Sequence, residues 1–179
     1  QASPALQHVS LQLGEGDLVV ALGPSGCGKS TLLGVLAGFI APSEGSVSFD
    51  GQPVQAPGVA RAVVFQHDAL LPWLNVADNV AFGLKLQGVD KARRERVVAD
   101  TLQLVGLADV GRKHTWQLSG GMRQRVGIAR AIASQSKILL MDEPFGALDA
   151  FTREQMQQLL LSVWQHAGRG IFLISHDIE

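Results

Sequence analysis

LVVALGPSGCGKSTLLGVLA, residues Leu18 to Ala37, is the stretch on which the fold turns. Leu18 to Leu22 is an unbroken apolar run of strand length. GPSGCGKS, Gly23 to Ser30, follows at once and fits the pattern G-x-x-x-x-G-K-[ST] in full. Beyond it Leu32, Leu33 and Leu36 recur at helical spacing. Strand, glycine-rich turn and helix are the context that this pattern requires. Gly23, Gly26 and Gly28 let backbone N–H groups turn inward around phosphate oxygens, and the helix dipole favours the anion. Pro24, Ser25 and Cys27 complete the loop, with Cys27 read as a small residue rather than a reactive one. Lys29 reaches the terminal phosphates, the Ser30 hydroxyl can ligate Mg²⁺, and Thr31 continues the cradle into the helix. A plain glycine-rich turn with a solvated lysine is the competing reading, and the flanking elements argue against it.

Outward from this unit, Val9 to Leu13 alternates with period two and predicts a strand, followed by a turn at Gly14 to Asp17. Val47 and Phe49 alternate ahead of Asp50-Gly51, which predicts an edge hairpin. Ala62 to Phe65 reads as a buried strand ending at Gln66. From His67 to Ser134 little reads as strand, and Arg93 to Val105 sets Val98, Leu102 and Val105 on one helical face. Ile138 to Met141 is again a buried strand, Thr152 to His166 is helical, and Gly170 to Ser175 is a last apolar strand ending in His176. The alternation of strands and helices predicts an α/β fold, a P-loop NTPase core with a mainly parallel sheet. An N-terminal antiparallel β part and an inserted helical subdomain complete it. The expected boundaries are 1–66 for the first part of the core, 67–134 for the helical subdomain and 135–179 for the second part of the core.

ILLMDEP, Ile138 to Pro144, delivers two carboxylates to a strand's C-terminal end, where ligands bind in such sheets. Asp142 suits a metal-holding role and Glu143 that of the base that orients or activates a water. Gln66 and His176 end strands at the same inferred edge. Gln66 could touch Mg²⁺ or water, and His176 could hydrogen-bond the γ-phosphate. A second anion-binding build lies far away in sequence: in QLSGGMRQR, Ser119 is an N-cap candidate, and Gly120 and Gly121 open a helix carrying Arg123 and Arg125. An ordinary capped helix is the local alternative.

Composition bounds the rest. The chain has 179 residues, 46% of them apolar, enough for a substantial core. A net charge of −1 gives no basic footprint for nucleic acid or an anionic membrane. One cysteine excludes an internal disulfide. No apolar run is long enough to span a bilayer.

The ordered set GPSGCGKS, Gln66, LSGGMRQR, ILLMDEP, ALD and His176 resembles the ATP-binding-cassette ATPases over essentially the whole chain. The resemblance implies ATP and Mg²⁺ as cofactors and a head-to-tail dimer, in which Ser119-Gly120-Gly121 of one copy closes on the nucleotide of the other. It implies that Asp149 communicates across that interface. The wording RAVVFQHDALLPWLNVADNVAFGL, WQLSGGMRQRVGIARA and EPFGALDAFTREQMQ is similar to the ATPase subunits of bacterial taurine importers. Cassettes serving other sulfonates, nitrate or bicarbonate share much of it. The implied setting is the cytoplasmic face of the inner membrane, on permease subunits, with a periplasmic binding protein as an indirect partner and no nucleic acid. In such cassettes the region Leu70 to Leu74 lines the groove for a membrane-subunit helix, so Leu71 and Trp73 are candidate contacts. Core packing is the equal alternative.

The chain departs from the family pattern at two places. Met122 stands where the signature most often carries glutamine, with the serine and glycine donors retained. The chain also lacks tyrosine and has no aromatic ahead of Phe39. The resemblance therefore places the adenine-stacking aromatic before Gln1, and further helices and a strand after Glu179. Two rival classes carry different sequence marks. A soluble cassette acting on DNA or ribosomes would often carry long inserts or tandem cassettes, and a P-loop kinase or GTPase would lack QLSGGMRQR.

Overall fold

The computed structural model describes residues 4–66 and 69–176. Its elements run β1 (Leu18–Leu22), α1 (Lys29–Ala37), β2 (Ser48–Phe49), β3 (Gln52–Pro53), β4 (Arg61–Val64), α2 (Val76–Leu86), α3 (Lys91–Leu104), α4 (Gly120–Ala133), β5 (Ile138–Asp142), α5 (Ala150–Ala167) and β6 (Gly170–Ser175). The main sheet has the order β1-β6-β5-β4 with every neighbouring pair parallel. Parallel strands cannot be joined by a tight turn, so each crossover runs through helix, and the helices cover both faces. The central strands are accordingly apolar on both sides: Leu139, Leu140, Met141, Ile171, Phe172 and Ile174 are all buried.

Leu33 and Ala37 of α1 cover one face, against Leu140, Phe172 and Ile174. Ile128, Ala131 and Ile132 of α4 and Leu160 of α5 cover the other, against Leu139, Met141 and Ile171. A third cluster is helical, joining Val76, Val80 and Leu84 of α2 to Val98 and Leu102 of α3 and to Val126, Ala129 and Ala133 of α4. Helix α4 therefore carries two apolar faces, one for the helices and one for the sheet. His67 and Asp68, where the expected boundary between core and insertion falls, lie outside the described residues.

The hairpin forms as read: β2 and β3 pair antiparallel across Asp50 and Gly51, whose φ values of +50° and +74° suit the two-residue turn that matches strand twist. The strand expected at Val9 to Leu13 does not form. Val9 is 50% and Leu11 39% exposed, and only Leu13 packs inward, beside the α1 cluster. Alternation makes a strand only where a neighbour supplies a ladder, and β2 and β3 pair with each other alone among the described residues.

Asn79 is the polar exception in the helical cluster. It falls on the apolar stripe of α2 and is fully buried. Its Oδ1 accepts from Leu71 N–H at 2.8 Å. Its Nδ2 donates to the carbonyls of Leu71, Leu74 and Asn75 at 3.1, 3.3 and 3.0 Å. One side chain thus substitutes for the secondary structure that the Leu70 to Leu74 loop lacks. Asn79→Ala leaves the Leu71 amide without its partner, and stability should fall by about 2–3 kcal/mol. A lowered urea midpoint at unchanged m-value would register it.

Candidate functional site

Because the four strands are parallel, their carboxyl ends share one edge. Strand β1 delivers Gly23 there, β5 delivers Asp142 and Glu143, and β6 delivers His176. Gln66 lies two residues beyond the end of β4. Since β6 lies between β1 and β5, His176 emerges between the glycine-rich loop and Glu143.

Helix α1 begins without a side-chain cap and without an acidic residue in its first turn. The other four α-helices are capped by Asn75, Asp90, Ser119 and Asp149. The first amides of α1, and the positive end of its dipole, are therefore left to a ligand. Its N-cap is Gly28 at φ +97°, and a Cβ there would stand 2.5 Å from the Ala5 carbonyl oxygen. Only glycine satisfies both the backbone angle and the close approach. Lys29 folds over the loop, its Nζ donating to the carbonyls of Gly23 at 2.7 Å and Pro24 at 2.8 Å, and to the Cys27 sulfur at 3.6 Å.

Opposite the loop, Glu143 is held in an uncommon conformation. Its φ is +45°, a left-handed value that a glutamate adopts at a cost of about 1–3 kcal/mol. Its N–H donates to the Ile174 carbonyl at 3.0 Å, which ties the strained residue to β6. Gln66 Nε2 donates to Glu143 Oε2 at 2.8 Å, and His176 Nδ1 lies 3.2 Å from Oε1. The Glu143 side chain is 18% exposed and that of His176 54%. These three, with Leu22, Gly23, Pro24 and Ser25, line a cleft of about 560 Å³. Residues far apart in sequence meet here, and Gln66 bonds Glu143 directly. Asp142 and Ser30 adjoin the cleft in the chain without lining it. Hard oxygen donors from a hydroxyl, a carboxylate and an amide suit Mg²⁺, which takes few protein ligands beside substrate phosphates.

Ser119, Gly120 and Gly121 do not line the cleft. Ser119 Oγ accepts from Met122 N–H at 3.2 Å, an N-cap, and Arg123 donates to the Leu118 carbonyl at 2.9 Å. A Cβ on Gly121 would lie 3.3 Å from the Ala147 carbonyl oxygen, so the signature turn packs beside the loop that carries Asp149. Asp149 caps α5 by accepting from Thr152 N–H at 3.0 Å, and that bond holds its carboxyl below the ordinary value. Met122 packs on the helical cluster. Trp73 is 72% exposed and so is not core, whereas Leu71 is half-buried and held by Asn79. Sequence reading passed over Asn79 and Arg130. Asn79 had a signal, a polar residue on an apolar stripe; Arg130 had none beyond its place on α4.

Residues 6–146 match the family model described as ABC transporter. The chain belongs to the ABC transporter family. It is 63% identical over 179 residues to the taurine import ATP-binding protein TauB of Chromobacterium violaceum, covering 100% of this chain and 69% of that protein. The proteins of the same name from Pseudomonas putida and Yersinia pestis are 60% and 59% identical, over 99% and 100% of this chain and 68% and 70% of theirs. Among solved structures, a dimeric post-hydrolysis state of the ATP-binding cassette MJ0796, bound to ADP and Pi, superposes with a TM-score of 0.85 at 33% identity. It covers 97% of this chain and 81% of that one. A second dimeric structure of the same cassette gives 0.86 at 34% over the same shares. The ABC transporter fold thus accounts for both the parallel sheet and the helices. No helix among the described residues is long and apolar enough to cross a membrane.

Proposed function

We propose that this cassette, an ATP-hydrolysing member of the ABC transporter family, powers the import of taurine or a related sulfonate. The convergence of Gln66, Glu143 and His176 opposite the Gly23–Ser30 loop carries the hydrolytic part of the reading. The printed names of the relatives carry the solute. In this reading the uncapped start of α1 and Lys29 bind the terminal phosphates. Ser30, Gln66 and Asp142 would hold Mg²⁺, which supplies charge neutralisation when bound. Glu143 takes the proton of the attacking water and His176 contacts the γ-phosphate. Gln66 holds Glu143 Oε2 and His176 lies on Oε1, one contact per oxygen, so each oxygen keeps a lone pair for a water.

Residues 67–134 act as a helical subdomain presenting Ser119-Gly120-Gly121 to the nucleotide of a second copy, with Asp149 beside it. Trp73 and Leu71 face a permease helix at the cytoplasmic side of the inner membrane, a periplasmic binding protein delivers the solute, and no nucleic acid takes part. Exposed tryptophans are common anchors of such contacts. The test is uptake by vesicles carrying the assembled importer, loaded with MgATP and given labelled taurine with its binding protein. ATP-dependent taurine accumulation, outcompeted by other sulfonates and not by nitrate or bicarbonate, is expected. Nitrate or bicarbonate uptake without taurine uptake would overturn the solute and leave the ATPase reading standing.

A further inference from the structure

Trp116 is the most exposed large apolar residue among those described, at 74%. A single exposed apolar side chain is ordinary in itself. What sets this one apart is how firmly it is held and where it stands. It is the middle residue of a 3₁₀ turn, Thr115–Gln117, and the residues on either side of it in space turn inward: Thr115 and Leu118 are buried. The turn closes on itself, with Gln117 Oε1 accepting from His114 N–H at 2.8 Å and Gln117 N–H donating to the His114 carbonyl at 3.0 Å. His114 is anchored in turn by a β-bridge to Asn75, the residue that caps α2. Its imidazole lies nearly parallel to the indole, 8° apart in plane with ring centroids 6.0 Å apart. The indole therefore projects from the surface already oriented, and a partner that takes it up has little left to order. Ser119, the cap of α4, follows three residues later, a chain distance of at most about 10 Å. On the segment against which Gly121 packs, Phe151 is 70% exposed. Exposed aromatics thus stand on both segments that meet at the Ser119 turn.

We infer that Trp116 is a nucleoside contact made in trans: its indole lies against the purine base of the ATP held by a second copy of this chain, and so sets the affinity of the ATP-bound pair. The inference rests on the reading above, in which Ser119-Gly120-Gly121 close on that nucleotide, and it adds a residue which that reading does not contain. The Ser119 turn meets the terminal phosphates, so a side chain this close along the chain meets the same nucleotide elsewhere. Phosphates offer nothing to an uncharged indole, whereas a base offers a flat π face. Trp116 does not line its own copy's cleft, so the contact exists only in the pair. Two copies make it twice, once at each nucleotide, and its effect on pairing is doubled accordingly.

The test uses the Glu143→Gln protein, in which the ATP-bound pair accumulates, with sedimentation over a range of protein concentrations as the readout. Adding Trp116→Ala should raise the dimer dissociation constant in MgATP at least about tenfold, since two stacking contacts are lost from each pair. Trp116→Phe, which keeps an aromatic face, should stay within about threefold of the unsubstituted indole. Trp116→Leu, which keeps apolar bulk and loses the face, should resemble Trp116→Ala. Affinity of the monomer for ATP, titrated with Ser119→Arg present to hold the copies apart, should be the same in all of them. Azido-ATP, with the azide on the base, reads the contact directly. Irradiated with the Glu143→Gln protein and Mg²⁺, it should label the peptide that carries Trp116, and that label should vanish when Ser119→Arg is added. Unaltered dimerisation by Trp116→Ala, full rescue by Trp116→Leu, a changed monomer affinity, or label confined to other peptides would each overturn the inference. The indole is exposed, so the variants should keep the melting temperature of the nucleotide-free protein. If Trp116→Ala does not fold, the comparison of Trp116→Phe with Trp116→Leu carries the same test. Failure of Glu143→Gln itself to dimerise in MgATP would count against the trans reading of the Ser119 turn, and the Trp116 contact would fall with it. A dimer indifferent to Trp116 would count against the contact alone.

Discussion

Glu143→Gln should bind ATP and fail to turn it over, with hydrolysis reduced by about 10²–10⁴, the usual contribution of a general base. The substitution keeps the outline of the side chain and an oxygen for Gln66 Nε2, so the cleft should keep its shape. What it removes is a carboxylate able to take a proton. With turnover stopped, the ATP-bound form should accumulate as a dimer, read as an approximate doubling of mass by light scattering only when MgATP is present. Adding Ser119→Arg should abolish that dimer, because a long cation at the start of α4 blocks close approach to the other copy's phosphates. The same change deletes the Ser119 cap on Met122 N–H, at a cost of about 1 kcal/mol. Nucleotide binding by the monomer is therefore the necessary control, and it should persist, since Ser119 does not line the cleft. A double variant that still dimerises on ATP would show that this turn caps a helix and does nothing more.

Lys29→Ala should weaken ATP binding at least tenfold and reduce hydrolysis further. Each charge-assisted hydrogen bond is worth about 1.5–3 kcal/mol. The lysine is bonded to the Gly23 and Pro24 carbonyls, so it is already positioned over the loop. Its loss should leave the fold intact, because those two carbonyls lie at a solvent-accessible turn and the helix that follows is held by Leu33 and Ala37. Isothermal titration with ATP, set beside an unchanged far-UV circular dichroism spectrum, measures the effect. Parent-like affinity would remove Lys29 from the site.

Most of the sheet was legible because the central strands β5 and β6 are buried apolar runs and β1 lies between glycine turns, although Val20 and Leu22 are exposed. Strand β4, Arg61–Val64, falls one residue ahead of the expected Ala62 to Phe65 and leaves Phe65 exposed. β6 matches its expected residues Gly170 to Ser175, and β5 extends its expectation by Asp142. Helix α5 begins at Ala150, ahead of the expected Thr152, because Asp149 caps it. Caps are a sequence signal that period counting passes over. Val9 to Leu13 misled for the opposite reason: alternation reports an amphipathic ribbon, and whether a neighbour exists to bond it is not a local property. At the site, the residue types were readable from the motifs and their strand-end positions, but the partners were not. Nothing local to Gln66 or Glu143 says that their side chains bond across 77 residues of chain. The Arg130 bond to Ala69 is invisible for the same reason, since its acceptor is a backbone carbonyl and carries no residue code.

The left-handed backbone of Glu143 has a consequence for how such a cassette can drift. Glycine or asparagine would suit that conformation better than glutamate, so substitutions that relieve the strain are easily reached and favour folding. A copy retained only for its shape, as a passive half of an asymmetric pair, would be expected to lose its base before its nucleotide cradle. The glycines of that cradle face the reverse pressure, because Gly28 can accept no larger residue without disturbing the backbone at Ala5. Degenerate descendants of this chain should therefore still hold nucleotide after they have ceased to cleave it.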